Sequence, residues 1–489
     1  MSWPSPHLIS GTPTVLVTRL ERPLDLAPLA RHLQETQTHV AWLDSARPHA
    51  VTGRCSLLAW DPWLTLETSG SRLRLRTADG VRMLSGDPWA GLREICRRYA
   101  SSGHPDLPPG QPGLIGILGY ELNQWVERLP SPKPVEPSVP ALAWYGMGGT
   151  ILVDHQAGIT YVVSVVDPHA ASSRQARRAA EARMEWVRHA STHEGLTDVG
   201  ATNAECVRLE PRLSQAAFET MVRRAQDYIA WGDIFQANLA QQFLAPWQGS
   251  PWTLYQRLRA INPSPFACFL RSPDWSLVSC SPERLVRLEG GVVSTRPIAG
   301  TRPRGAGPAE DAMNSLELIL SDKERAEHTM LVDLARNDLG RVCAYGSVRV
   351  DELMVLEEYS HVTHIVSNVV GRMRPRADAV EVIRALFPGG TITGCPKVRA
   401  MEVIHELEPV GRGWYTGSCG WIGFDGALDL NILIRTITLA QEQVSVHAGA
   451  GIVADSDPAR EYQETLAKAA ALIEALGAAS EATDAVAVV

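Results

Sequence analysis

The chain has 489 residues, of which 45% are hydrophobic and 20% charged, with a formal net charge of -8. That composition can bury a large core and excludes wholesale disorder, a fibrous repeat and a disulfide-stapled miniprotein. The acidic balance offers no field for nucleic acid, and no apolar run approaches the ~18 residues that a membrane-spanning helix needs.

Residues 13 to about 166 alternate short β-type runs with turn-rich joins; the runs include Thr14–Thr18, Ser56–Trp60, Leu114–Tyr120, Ile151–Val153 and Thr160–Val166. The stretches Ser102–Pro112 and Pro130–Pro140 read as loops from their proline and glycine. His169–His189 is rich in Ala, Arg and Glu and reads as one exposed helix, followed by a polar stretch without period. Residues 169–211 are therefore expected to join a first unit, 13–168, to a second, 212–477. The second unit opens with a helix capped by Ser214 and ended by Gly232. Strands are expected at Phe266–Leu270, Trp275–Cys280, Leu285–Leu288 and Val292–Thr295, then one long helix from about Pro308 to Asp333. Further strands are expected at Tyr415–Phe424, Leu430–Thr438 and Val444–Ala448, and a closing helix after Asp457, with Pro458 in its first turn, to Leu476. Residues 478–489 read as a frayed tail. Runs of strands with helices between them favour an α+β fold over a doubly wound sheet.

Eight scattered cysteines (55, 96, 206, 268, 280, 343, 395, 419) form no C-x-x-C pair, so a zinc ribbon or dithiol site lacks its spacing. Reduced thiols fit a cytoplasmic protein, and the Met1–His7 segment lacks the basic start and apolar core of a signal peptide.

Two carboxylate pairs stand three residues apart on expected helices, Glu324 with Glu327 and Glu461 with Glu464. Each pair shares a helix face. If the faces met, a cation such as Mg²⁺ would make them tolerable; the plainer reading is solvated faces with Lys323–Glu327 and Glu464–Lys468 as exposed pairs. Gly-rich stretches at Phe387–Lys397 and His447–Ile452 can turn the chain or bring backbone N–H groups to an anion. His364 lies on an apolar segment, where a histidine is ordinarily a satisfied core residue. Arg435 lies in an apolar, strand-like run and needs a partner, from the protein or from an anionic ligand.

Taken together these stretches resemble the chorismate-utilising enzymes, a family that includes anthranilate synthase component I, aminodeoxychorismate synthase component I and the isochorismate and salicylate synthases. The matching segments are Gly232–Gln241, Ser281–Arg284, Arg296–Arg304, Asp322–His328, Leu331–Arg341, Phe387–Met401, Gly449–Asp455 and Glu461–Glu464, in order over residues 214–476. Gly53–Pro62 looks, more loosely, like the family's first domain. The fold implied is two interleaved β-rich layers of antiparallel strands with helices outside, as in anthranilate synthase component I. The resemblance implies that Glu327 and Glu464 hold Mg²⁺ with Glu324 and Glu461 beside them. It implies that Arg435 and Tyr415 hold the enolpyruvyl carboxylate, that backbone near Gly449 and Gly451 holds the ring carboxylate with Lys468 nearby, and that Thr301 and His364 line the ring. Glu283 would be the general acid that protonates the departing C4 hydroxyl.

Within the family, water-using enzymes carry a lysine base where this sequence has Gln236, so ammonia is the expected nucleophile. Many aminodeoxychorismate synthases carry a lysine at the position of Ala299; its absence favours the anthranilate branch. Phe387–Gly394, Gln236–Gln241 and Leu428–Thr436 look instead like the aminodeoxychorismate branch, and no L-L-E-S feedback element for tryptophan is evident near the N-terminus. The resemblance therefore implies an aminodeoxychorismate synthase component I, with anthranilate synthase component I as the alternative. A catalytically dead, tryptophan-binding regulatory homologue is a distant third, because the site carboxylates are present. No G-x-C-x-G glutaminase turn is found, so glutamine-derived ammonia would need a separate amidotransferase subunit. Whether free tryptophan also binds is left open, and the match places Trp421 next to the site.

Overall fold

The computed structural model describes residues 7–9, 13–46, 52–108, 110–170, 173–191, 207–305, 307–358 and 362–477. The Cys206 thiol and the 478–489 tail lie outside the described residues.

Alternating and continuous apolar runs dictate strands, and the described strands join into one large sheet with helices packed on it. The two halves of the chain are interleaved in that sheet. Val40–Asp44 pairs antiparallel with Cys55–Ser69 on one edge and with Phe266–Arg271 on the other. Gly113–Leu118 likewise lies between Leu142–Asp154 and Ser418–Gly423, both antiparallel. Where the halves meet, Trp42 stacks on Trp252 at 5.8 Å, and buried Asp44 accepts hydrogen bonds from Tyr255 Oη at 2.9 Å and Arg259 Nε at 2.5 Å. Each large side chain so buried contributes about 1.5–3 kcal/mol. The expected α+β architecture of interleaved antiparallel layers is what the chain adopts.

Local signals account for the helix ends. Ser214 accepts from Ala217 N at 3.3 Å and starts helix Gln215–Ala230, and Gly232 follows it with φ +82°. Asp457 accepts from Arg460 N at 2.9 Å and starts helix Pro458–Ala475. Three expectations change. The long helix from Pro308 divides at Ser321 into Pro308–Leu320 and Asp322–Gly340, because Ser321 takes an extended conformation and caps the second helix through Glu324 N. The helix near 169–189 runs Ser173–Ala190, and it is only partly exposed: Ala176, Ala180, Met184 and Val187 are buried, the last three in the core. The strand expected over Leu430–Thr438 is two strands, Leu428–Asn431 and Thr436–Ala440, because Arg435 has φ +51° and breaks the run. No described helix is long and apolar enough to cross a membrane.

Candidate active site

Arg435 stands at that break in the sheet. Among the described residues it makes no ion pair; it donates to Lys468 O at 3.1 Å, and burial lowers its pKa against the pull of Tyr415 and Glu464. A desolvated cation satisfied only by a backbone carbonyl is a site for an anion.

From Arg435 a ring of contacts can be followed. Tyr415, buried and with its phenol pushed up to about 12 by burial, stacks on His447 at 5.3 Å. A methyl group on Gly449 would lie 2.8 Å from Tyr415 Oη and 2.6 Å from Asn238 Oδ1, and one on Gly451 would lie 2.5 Å from Gln236 Nε2. Only glycine lets these side chains lie so close over the strand. Gln236 and Ala237 pair with Cys395 and Gly394, which anchors the Phe387–Lys397 turn beside them. Thr391 in that turn donates to Glu283 Oε1 at 2.8 Å. Glu283 is buried, and that burial pushes its carboxyl up to about 7, against the hydrogen bonds from Thr391 and from the Ile298 backbone. Ile298 begins strand Ile298–Pro303, where Ala299 lies opposite Ile365 and Thr301 opposite His364, with Gly300 at φ +70° in the irregularity between them. Thr301 Oγ1 and His364 Nδ1 are 2.9 Å apart. Burial lowers His364 to about 4, the Gly300 backbone opposes it, and Arg435 adds to the depression, which closes the ring. His364 is thus a neutral imidazole at physiological pH.

The carboxylates come from two helices that face one another. Burial raises the pKa of Glu327; Lys323 opposes this, and Glu324, Glu461 and Glu464 add to it. Burial likewise raises Glu461, against a hydrogen bond with Ser456, with Glu464 adding to the rise. Cations of the chain attend the cluster: Arg302 lies 3.2 Å from Glu324, Lys323 3.9 Å from Glu327, and Lys468 2.6 Å from Glu464 while also donating to Gly449 O at 3.0 Å. Among the described residues no three Asp, Glu, His or Cys side chains are close enough to hold a metal ion as they stand. The donor set is nonetheless chemically apt for Mg²⁺, since hard carboxylate oxygens carrying mutual repulsion are what a hard cation relieves.

Sequence reasoning missed several residues. Buried Arg412 donates to Glu408, Ile392 O, Thr416 Oγ1 and Asn238 O, and its guanidinium lies 4.8 Å from the Tyr120 ring centre and 5.6 Å from that of Tyr415. Lys397 Nζ donates to Asp338 Oδ2 at 2.6 Å and Leu386 O at 3.1 Å, which fastens the Gly-rich turn to helix Asp322–Gly340. A charge set between glycines in Gly411-Arg412-Gly413 was the available signal for the first. Trp421 lines a cavity of about 850 Å³, open mouth included, that spans the junction of the halves and is also lined by Ser45, Arg54, Phe266, Asn431 and Arg284, the neighbour of Glu283 in sequence. The ring of Trp421 closes on Gly110, whose Cβ would lie 2.1 Å from it.

Comparison with known proteins places the chain in a family. Residues 40–474 match the model of the chorismate binding enzymes. The chain is 47% identical to an anthranilate synthase component I-like protein of Synechocystis sp., over 76% of this chain and 74% of that one. It is 39% identical to aminodeoxychorismate synthase component 1 of Bacillus subtilis, over 92% and 94%. It superposes on the crystal structure of anthranilate synthase component I from Streptococcus pneumoniae with a TM-score of 0.77 at 32% identity, covering 87% of this chain and 93% of that one. The chain belongs to the chorismate-binding enzyme family.

Proposed function

We propose that the chain is the chorismate-aminating component of an aminodeoxychorismate synthase, replacing the C4 hydroxyl of chorismate by ammonia and keeping the enolpyruvyl group. The stretches Phe387–Gly394, Gln236–Gln241 and Leu428–Thr436 favour this branch, and Glu283 supports the loss of the C4 hydroxyl: its carboxyl, pushed up to about 7 by burial, is still substantially protonated near neutral pH. A hydroxyl leaves only when protonated, and an acid of that strength supplies the proton as the C4–O bond breaks. The C4–N bond forms to ammonia, and the proton that the new amine loses restores the acid. Gln236 is a neutral amide and cannot deprotonate water, which favours a nucleophile that needs no base.

Arg435 and Tyr415 would hold the enolpyruvyl carboxylate, backbone at Gly449 and Gly451 with Lys468 the ring carboxylate, and Thr301 with neutral His364 would line the ring. Glu327 and Glu464, with Glu324 and Glu461 beside them, would hold Mg²⁺, whose charge offsets the ring carboxylate. Arg435→Gln is expected to raise the KM for chorismate by about 10- to 100-fold, the worth of one charge-assisted hydrogen bond of ~1.5–3 kcal/mol. An unchanged KM would remove Arg435 from the substrate site.

The second reading, anthranilate synthase component I, is favoured by Ala299, which offers no amine to occupy C2, and by the names of two of the relatives. The product decides. Purified chain, chorismate, Mg²⁺ and an ammonium salt are incubated with and without an aminodeoxychorismate lyase. A product that the lyase converts to 4-aminobenzoate supports the C4 reading; fluorescent anthranilate without lyase replaces it with the second. Glutamine alone should not substitute for ammonium, because that would be the task of a separate amidotransferase subunit.

A further inference from the structure

The turn Phe387–Lys397, whose Thr391 donates to Glu283, is fastened from two sides. On the sheet side Asn238 N donates to Thr393 O at 2.8 Å, Phe235 N to Cys395 O at 2.7 Å and Arg412 Nη1 to Ile392 O at 3.0 Å. At its base Lys397 Nζ donates to Leu386 O at 3.1 Å, which ties the last residue of the turn to the residue before its first. The same ammonium donates to Asp338 Oδ2 at 2.6 Å, in the last turn of helix Asp322–Gly340.

Stability alone does not call for this pair. Lys397 and Asp338 are 8% and 7% exposed, and a buried ion pair does little more for stability than apolar side chains of similar volume. Each charge also stands at the end of its own helix that the backbone dipole disfavours. Lys397 is the first residue of helix Lys397–Leu407, and Asp338 is near the C-terminus of Asp322–Gly340. Burial raises the Asp338 carboxyl against the pull of Lys397. The contact is explained by what it holds.

Close packing does not hold the turn there. Behind Thr391 lies a cavity of about 340 Å³, open mouth included, lined also by Glu283, Asp338, Leu331, Ala335 and Ile432. Side chains in an interior are fixed by dense packing, and beside a void that constraint is missing. Hydrogen bonds must then set where Thr391 Oγ1 stands. Where the turn does meet helix Asp322–Gly340 it does so through glycine: a methyl group on Gly390 would lie 2.4 Å from Leu334 Cδ2. The charged groups on the cavity are already engaged. Arg284 is 2.9 Å from Asp429, and Asp338 faces Lys397 together with Arg341 and Glu127, themselves 2.8 Å apart.

We propose that Lys397 and Asp338 are positioning residues for the acid, clamping the base of the turn so that Thr391 stays within hydrogen-bonding distance of Glu283. The inference rests on the assignment of Glu283 as the acid, which both branch readings share. Thr391 engages one carboxyl oxygen, so the clamp governs how the carboxyl is turned and how readily it yields its proton. Helix Asp322–Gly340 also carries Glu324 and Glu327, so the clamp fixes the acid to the same rigid element as part of the carboxylate cluster.

The test follows chorismate consumption by the full chain at saturating chorismate, Mg²⁺ and ammonium chloride, from neutral to alkaline pH. A hydrogen bond donated to a carboxylate favours its ionised form, so Thr391→Val should move the alkaline limb of kcat to higher pH by about one pH unit. Lys397→Met should move the limb as far, and misplacing the acid should lower kcat below the limb by about 10- to 100-fold. The KM for chorismate should stay within about threefold, since no substrate contact is removed. The double variant Thr391→Val with Lys397→Met should shift the limb no further than either change alone, because both break one link. Lys397→Met strands the Asp338 carboxylate; if that chain does not melt cooperatively, Lys397→Met with Asp338→Asn, which leaves no buried charge unpaired, takes its place. A limb that stays put in either folded single variant would make the pair merely structural and overturn the proposal. So would a limb that moves further in the double variant. Wild-type-like turnover by Glu283→Gln overturns the acid assignment itself.

Discussion

Glu283→Gln should lower chorismate turnover by about 10²- to 10⁴-fold, the usual worth of a positioned general acid, while making the folded chain harder to unfold at pH 8. Both effects come from the same burial. The folded protein holds the Glu283 proton up to about pH 7, against an ordinary value of 4.5. Its contribution to stability is therefore present below pH 4.5 and lost as pH rises through 7, a penalty on the order of 3 kcal/mol above that range. Glutamine accepts the Thr391 hydrogen bond without ever ionising, so the variant should melt higher than wild type at pH 8 and equally at pH 4. The alkaline limb of catalysis has the same sign: kcat at saturating chorismate and ammonia should fall as pH rises through the Glu283 titration, and that limb should be missing in the variant. Wild-type-like turnover by Glu283→Gln would end its assignment as the acid.

The largest effect on stability should come from Glu408→Ala. Glu408 and Arg412 are 5% and 2% exposed, and the guanidinium ties the Asn238 strand, the Gly-rich turn at Ile392 and Thr416 together. Removing the carboxylate strands a buried cation, which costs about 3–5 kcal/mol, and frees the Ala240 N–H that Glu408 accepts at 2.9 Å. The urea midpoint should drop accordingly. The double variant Glu408→Leu with Arg412→Met should recover much of the loss, since no buried charge is then unpaired. A cost below about 1 kcal/mol for the single change would mean that the pair behaves as a surface pair does.

That pair also marks the limit of what can be read from residues alone. Glu408 and Arg412 are four apart, the spacing of countless exposed helix pairs, and only the tertiary structure buries them. Signals that act within a few residues were legible: the caps at Ser214 and Asp457, the loops by their proline, the strands by their β-branched runs. Arg435 was picked out as a charge in an apolar run, but its left-handed backbone was not, because arginine, unlike glycine or asparagine, does not advertise a positive φ. The roles of Glu283, Thr301 and the facing carboxylates came from family resemblance. Spacing places Glu324 and Glu327 on one helix face but cannot say that another acidic helix lies opposite. The surroundings of Trp421 were out of reach for a related reason: strand Ser418–Gly423 borders the Gly113–Leu118 strand of the first half, a pairing that spans some three hundred residues of chain.

That long-range pairing has a consequence for how the molecule comes into being. During synthesis Val40–Asp44 and Gly113–Leu118 emerge long before the strands that cover their outer edges, Phe266–Arg271 and Ser418–Gly423. Until those arrive the nascent first half presents two unprotected strand edges, a template for wrong partners. Its native sheet has high contact order and closes only when nearly the whole polypeptide has left the ribosome. The first half released alone should be an aggregation-prone fragment rather than a module, and chaperone demand should fall on the interval between residues 118 and 418.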